Sequence, residues 1–306
     1  MGENVAETVR ILANGGIGDA ILLTASLRAM ARANPRRRIV IWSAHPGHES
    51  VFRNNPYVAS FRRVGRFAGI LYAMAGGSWW APYADSEYSR TFPSLLYSKR
   101  AASIIAEILN VSLEDETPEL FLSPAEISAA AEKVRNLGRP LIAIHALGAC
   151  SATKNWSVAN WNELVSCNPD LTFVQLGRSG EPTIAGVHNL MGIGLRQAFA
   201  IIKVCDSFVG VDSGFAHAAA AVGVPGVVLF GPTTPRIWGH AHAANLYSHR
   251  YCSPCLDVIR GSACPFSNAC MKELTPRMVE NALRAQLAAA RLGSADSRYA
   301  VVSPMD

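Results

Sequence analysis

The chain has 306 residues, half of them hydrophobic and 17% charged, which excludes a disordered or fibrous polypeptide and leaves room for two domains. A net charge of +5 is too mild to argue for nucleic acid. It suits an anionic small substrate and loose contact with an acidic membrane surface. The seven cysteines are odd in number, and neither a secretory signal nor an apolar run of membrane-spanning length is visible, so we expect no disulfide framework and a cytoplasmic location.

In chain order, Thr8–Ala13 reads as an apolar strand and 14–19 (NGGIGD) as a glycine-rich turn. Ala20–Ala33 carries apolar residues at helical spacing and stops at Asn34-Pro35, and Ile39–Trp42 is a second strand. Strand, helix and strand in this order make a parallel sheet. The turn holds only half of a dinucleotide fingerprint: position 21 is Ile and no acid follows the second strand, so NAD is not expected. The loop 45–48 follows, then an apolar, aromatic stretch from Phe67 to Tyr83, read as core plus a loop or as a surface facing an acceptor or a membrane. Arg100–Leu109 reads as a helix. Ser123, Pro124 and Glu126 form a strong helix start, and Gly138-Arg139-Pro140 ends that helix near Leu137.

We place a domain boundary there, giving domains 1–138 and 139–306. The second half repeats the alternation with strand Leu141–His145, helix Ser157–Val165, strand Leu171–Leu176, helix Leu195–Lys203 and strand Ser207–Val211. Asp212-Ser213-Gly214 then opens an Ala-rich helix over Phe215–Val222 that Gly223 ends, and Val224–Phe230 is the next strand. Ser213 is placed to cap this helix and Gly214 to let a ligand approach the backbone. A helix opening directly after a strand presents free N–H groups and the positive end of its dipole, a binding site for phosphate. His217, one turn in, adds a hydrogen bond. Thr275-Pro276 starts a last helix that runs to about Leu292.

Cys252, Cys255, Cys264 and Cys270 are spaced C-x2-C-x8-C-x5-C. Four thiolates suit tetrahedral Zn or Fe, although the second pair is wider than a standard knuckle, and buried reduced thiols are the alternative. Cys150, Cys167 and Cys205 read as ordinary core or surface thiols.

Four separated stretches together resemble glycosyltransferase family 9, the ADP-heptose heptosyltransferases. They are GGIGDAILLTASLRAM, HALGACSATKNWSVANWNEL, the D-S-G-x-x-H block with L-F-G-P-T after it, and the cysteine tail. The chain departs from the family pattern at Ala25 and Ser157, where Pro is usual, and at Ala146-Leu147, where Pro-Gly is. The resemblance implies an α/β fold of GT-B architecture, with two doubly wound Rossmann-like domains facing a central cleft. It implies inverting transfer of a heptose from ADP-heptose to a hydroxyl of a lipopolysaccharide core.

That chemistry needs a base for the acceptor proton and fixed donors for the charge on the departing diphosphate. By resemblance Asp19 is the base; its other reading is a cap for the helix after it, which would make it a poorer base. Lys154 is the phosphate cation. Gly18, Asp212, Ser213, Gly214, His217 and Thr233 bind the donor, and Glu181 contacts the ribose. No acidic pair is placed to hold Mg²⁺, so transfer is expected to need no catalytic metal or cofactor, with a structural Zn or Fe reserved for the four cysteines. In relatives that modify autotransporter proteins, similar cysteines hold iron. The rival readings are therefore a protein O-heptosyltransferase and a non-catalytic nucleotide-sugar binder.

Overall fold

The computed structural model describes residues 7–13, 15–65, 79–80 (backbone only), 99–148, 151–255 and 263–292. Most of the aromatic stretch 67–83, Cys150 and the tail 293–306 lie outside the described residues. The chain forms two compact units, Met1–Phe121 and Leu122–Asp306. The division falls before the helix that the sequence reading gave to the first domain, because that helix packs within the second unit.

In the first unit, β1 (Thr8–Leu12), β2 (Arg38–Ser43), β3 (Val58–Arg63) and β4 (Trp79–Trp80) make a parallel sheet in the order β3-β2-β1-β4. Helix α1 (Ile17–Ala33) follows β1, α2 (His48–Phe52) follows β2, and α3 (Ala101–Ile108) packs on α1. Helix α1 begins three residues before the sequence reading started it. Gly16 takes the extended N-cap conformation, and Asp19 falls inside the first turn. Two polar side chains of α1 are structural. Buried Arg28 donates to the Asp115 carbonyl at 2.7 Å, and the Thr24 hydroxyl accepts the Glu119 N–H at 2.8 Å. Together they hold the segment leading out of the unit against the helix.

The second unit opens with α4 (Pro124–Val134), whose Ser123 and Glu126 complete the capping box read from the sequence. Its six parallel strands are β5 (Leu141–His145), β6 (Thr172–Leu176), β7 (His188–Asn189), β8 (Ser207–Val211), β9 (Gly226–Phe230) and β10 (Ala243–Tyr247). They lie in the order β10-β9-β8-β5-β6-β7. Every residue of β5, β8, β9 and β10 is buried. Strand side chains alternate between faces, so both faces of the sheet are covered, as continuous apolar strands demand.

The helices are α5 (Val158–Ser166), α6 (Leu195–Val204), α7 (Gly214–Ala221), α8 (Pro235–Trp238), α9 (Ala269–Lys272) and α10 (Pro276–Arg291). Trp161 and Leu164 of α5 and Val279, Leu283 and Leu287 of α10 pack with Val209, Val211, Val227 and Leu229 in one core. Helix α7 ends at Gly223 with φ +72°. Val224 N–H bonds to Ala219 O and Gly223 N–H to Ala220 O, a paired closure that needs the left-handed glycine.

Candidate active site

In the second sheet the chain runs outward from β5 through β6 to β7, then returns to β8 on the other side of β5. The order therefore reverses between β5 and β8, which lie side by side with His145 opposite Gly210. The segments leaving the carboxyl ends of two such strands diverge and open a crevice, the place where ligands enter doubly wound sheets.

Both segments carry residues singled out in the sequence. After β5 the chain turns through Ala152–Lys154, which brings Lys154 back inward. Gly148 lies over its methylenes: a Cβ there would sit 3.2 Å from Lys154 Cβ. Lys154 Nζ donates to Asp212 Oδ2 at 2.7 Å, and the two side chains are only 11% and 4% exposed. Burial pushes the Asp212 carboxyl up, but Lys154 and then His217 outweigh it and hold it below the usual carboxylate range. The lysine is thus a buried, paired charge and not the solvated cation its loop position suggests.

Burial pushes His217 down to about 4 against the opposing pull of Asp212, so it is neutral at pH 7. Its Nδ1 lies 2.7 Å from His240 Nε2. Buried Thr233 stands nearby. Its hydroxyl favours the Asp212 carboxylate without completing a hydrogen bond, and Oγ1 is unpaired among the described residues.

Ser213 is the N-cap residue of α7, but its hydroxyl does not cap. It meets His145 Nδ1 at 2.9 Å instead. Burial, with Arg178 adding to it, pushes His145 down to about 3. The opening amides of α7, beginning at Gly214, take no cap from Ser213 and retain their dipole end for an anion. Glu181 stands just past Gly177, after β6. Its Oε2 is buried without a hydrogen-bond partner, and the missing side chain at Gly177 leaves the space it occupies. Lys154, Asp212, Ser213, Gly214, His217 and Thr233 are thus brought together. His145, which opens the second resembling stretch, and His240 join them although the sequence reading gave neither a role; for His145 the available signal was a polar residue closing an otherwise apolar strand.

The first unit shows the same strand-order reversal, between β1 and β4. The chain leaves β1 through Gly15, at φ +85°, and Gly16 into α1. The Gly16 N–H donates to Asp19 Oδ2 at 2.7 Å. A Cβ on Gly15 would collide with that carboxylate. Half-buried Asp19 is thus not the N-cap that the sequence offers as its other role: Gly16 holds that position, and Asp19 stands three residues later, inside the first turn, with Gly18 beside it.

Of the four clustered cysteines, Cys270 is buried and the other three are half-buried. Burial pushes the Cys270 thiol up to about 11, and Cys255, Cys264 and Cys252 add to the rise from within electrostatic range of it. The donor chemistry suits Zn or Fe. Among the described residues, however, no three His, Cys, Asp or Glu side chains are arranged to hold a metal ion.

The profile of glycosyltransferase family 9 (heptosyltransferase) matches residues 183–262, across α7 and the donor block. Lipopolysaccharide heptosyltransferase 1 of Pseudomonas aeruginosa is 29% identical over 196 residues, covering 57% of this chain and 52% of that protein. The match thus spans about half the length of that relative. Among solved structures, the Escherichia coli ADP-heptose lipopolysaccharide heptosyltransferase II superposes with a TM-score of 0.71 at 16% identity, covering 93% of this chain and 99% of that one. The iron-containing dodecameric glycosyltransferase TibC of enterotoxigenic E. coli gives 0.70 at 14% identity, covering 93% and 77%. At these identities the likeness is one of fold, that of GT-B glycosyltransferases.

Proposed function

We propose that the chain is a glycosyltransferase of the family 9 type, whose model matches residues 183–262, and that it transfers a heptose from ADP-heptose to a hydroxyl of a lipopolysaccharide core, with inversion. The acceptor oxygen attacks the anomeric carbon, the bond from that carbon to the diphosphate oxygen breaks, and ADP departs. Asp19 takes the acceptor proton. The observation that carries the reading is the strand-order reversal of the second sheet, where uncapped α7 amides stand beside a pre-formed Lys154–Asp212 pair.

Charge that builds on the departing diphosphate is met by the α7 amides and by Lys154, whose ammonium Asp212 holds in one place. The buried Thr233 hydroxyl supplies a further donor. Glu181, with one carboxylate oxygen unpaired, accepts from a ribose hydroxyl. Neutral His217 orients the donor. No metal takes part in the transfer step as written, and chelation should leave turnover unchanged. The protein would work in the cytoplasm, at the inner face of the membrane that carries its acceptor; no helix among the described residues is long and apolar enough to cross a membrane.

Asp19→Ala tests the reading. Transfer of heptose from ADP-heptose to lipid-linked core, followed by mass spectrometry, should be lost while calorimetric ADP affinity is retained. Full turnover by this variant removes Asp19 from the mechanism.

A second reading, heptose transfer to a protein, draws on the clustered cysteines and the likeness in fold to TibC. Sugar appearing on co-expressed proteins, with iron or zinc found by elemental analysis, would favour it. Sugar on lipid-linked core alone would dismiss it.

A further inference from the structure

We propose that His48, at the start of α2, is a positioning residue for Asp19: it grips the carbonyl of Gly16, the residue whose own N–H holds the Asp19 carboxylate. The inference rests on the assignment of Asp19 as base.

The sequence predicts a loop over 45–48, yet His48 begins a helix and is fully buried. Its Nε2 lies 3.1 Å from Gly16 O, and its Nδ1 lies 2.8 Å from the hydroxyl of Ser43, the buried last residue of β2. The direction of each bond follows from chemistry. A carbonyl oxygen only accepts, so Nε2 carries the proton. Burial, with His45 adding to it, pushes His48 down to about 4, so at pH 7 the ring has that one N–H and Nδ1 is bare. Ser43 must then donate to Nδ1, and its oxygen accepts the His45 N–H at 3.0 Å. Three hydrogen bonds run head to tail, from His45 N–H to Ser43, from Ser43 O–H to His48 and from His48 Nε2–H to Gly16 O, and the N–H on the other side of the Gly16 Cα donates to Asp19.

The ring is held by packing as well. His45 stacks on it with centroids 4.6 Å apart, and Phe52 meets its edge at 6.3 Å. The glycine turn has the opposite character. Gly15 and Gly16 bring no side chains to anchor it, and glycine has more conformations to lose than any other residue. A base must be held within a fraction of an ångström of its working position, and a misplacement of about 1 Å costs on the order of 10²-fold in rate. The Ala20 N–H of α1 meets the Gly16 carbonyl at 3.2 Å, and His48 adds a second hold on it from β2 and α2.

Two amide substitutions separate positioning from folding. In His48→Gln the amide nitrogen reaches the place of Nε2 and keeps the donor to Gly16 O. In His48→Asn the shorter amide reaches only the place of Nδ1, keeping Ser43 and losing Gly16. Both remove the ring, so both should lower the melting temperature by similar amounts. We expect kcat of the Asn variant to fall roughly 10- to 100-fold with donor KM within about twofold, and the Gln variant to stay within about threefold of the parent. Equal kcat in the two variants, or kcat that follows melting temperature, overturns the proposal. Should neither fold, Ser43→Ala frees the ring to change tautomer and should cost kcat severalfold; unchanged kcat there also overturns it. Asp19→Ala, run in parallel, tells the two failures apart. A fully active Asp19→Ala removes the base itself, whereas an inactive one beside equal Gln and Asn variants removes only the role of His48.

Discussion

Lys154 and Asp212 show how far a residue's role depends on what folding places beside it. Their positions in sequence are 58 apart, and the sequence reading gave them separate tasks; the structure joins them in one buried ion pair. Removing one member of such a pair strands the other without solvent. Asp212→Asn should therefore destabilise the protein by about 3–5 kcal/mol, measured as a shift in denaturant midpoint, and Lys154→Met combined with Asp212→Leu should recover part of the loss. A midpoint unchanged by Asp212→Asn would mean that water reaches the ammonium. The types of residue at the site were legible in the sequence because their spacing is local: Asp212, Ser213, Gly214 and His217 fall on one strand-to-helix junction. The partners were not. Ser213 reads as a cap from its position, but β5 runs alongside β8 and delivers His145 to its hydroxyl. Thr24 and Arg28, part of the first motif, gave no sign that they anchor the segment around 115–119.

At the scale of elements, legibility followed burial and capping. Strands β5, β8 and β9 are buried on both faces and stand out as short apolar runs. Helix α4 was bounded by its Ser-Pro-x-Glu start. Strand β10 was missed because Ala-Ala-Asn-Leu-Tyr has weak strand propensity and is held by its pairing to β9. Two substitutions test these accounts by thermal or denaturant unfolding. Ser123→Ala removes the hydroxyl that accepts the Glu126 N–H and should cost about 1 kcal/mol. Leu283→Ala, on the fully buried face of α10, should cost about 2–5 kcal/mol. A loss at Ser123 well beyond about 1 kcal/mol would mean that α4 depends on its cap more than on its packing against α6.

At the scale of the whole molecule, three of the four buried histidines among the described residues make the fold sensitive to acid. The folded protein holds His48 and His217 at about 4 and His145 at about 3, against roughly 6.5 in an unfolded chain. Below about pH 6.5 the unfolded state binds protons that the folded state refuses, so stability is present above that pH and falls as pH drops toward 4. Each histidine contributes a slope of about 1.4 kcal/mol per pH unit within the window. Denaturant midpoints at pH 7, 5.5 and 4.5 should decline steadily, and His48→Gln should lessen the decline; a flat profile would contradict the burial. Arg196 holds Glu126 at about 2 against an ordinary 4.5, so this contribution is lost as pH falls from about 4.5 toward 2 and overlaps only the acid end of the histidine window.

The buried ion pair has one more consequence. Lys154 and Asp212 together carry almost no net charge, so an approaching diphosphate feels the +5 surface from afar and on arrival meets backbone dipoles, hydroxyls and an ammonium already balanced by its carboxylate. Added salt should then slow the capture of ADP while leaving its rate of escape nearly constant, a division that stopped-flow measurements at two ionic strengths would resolve.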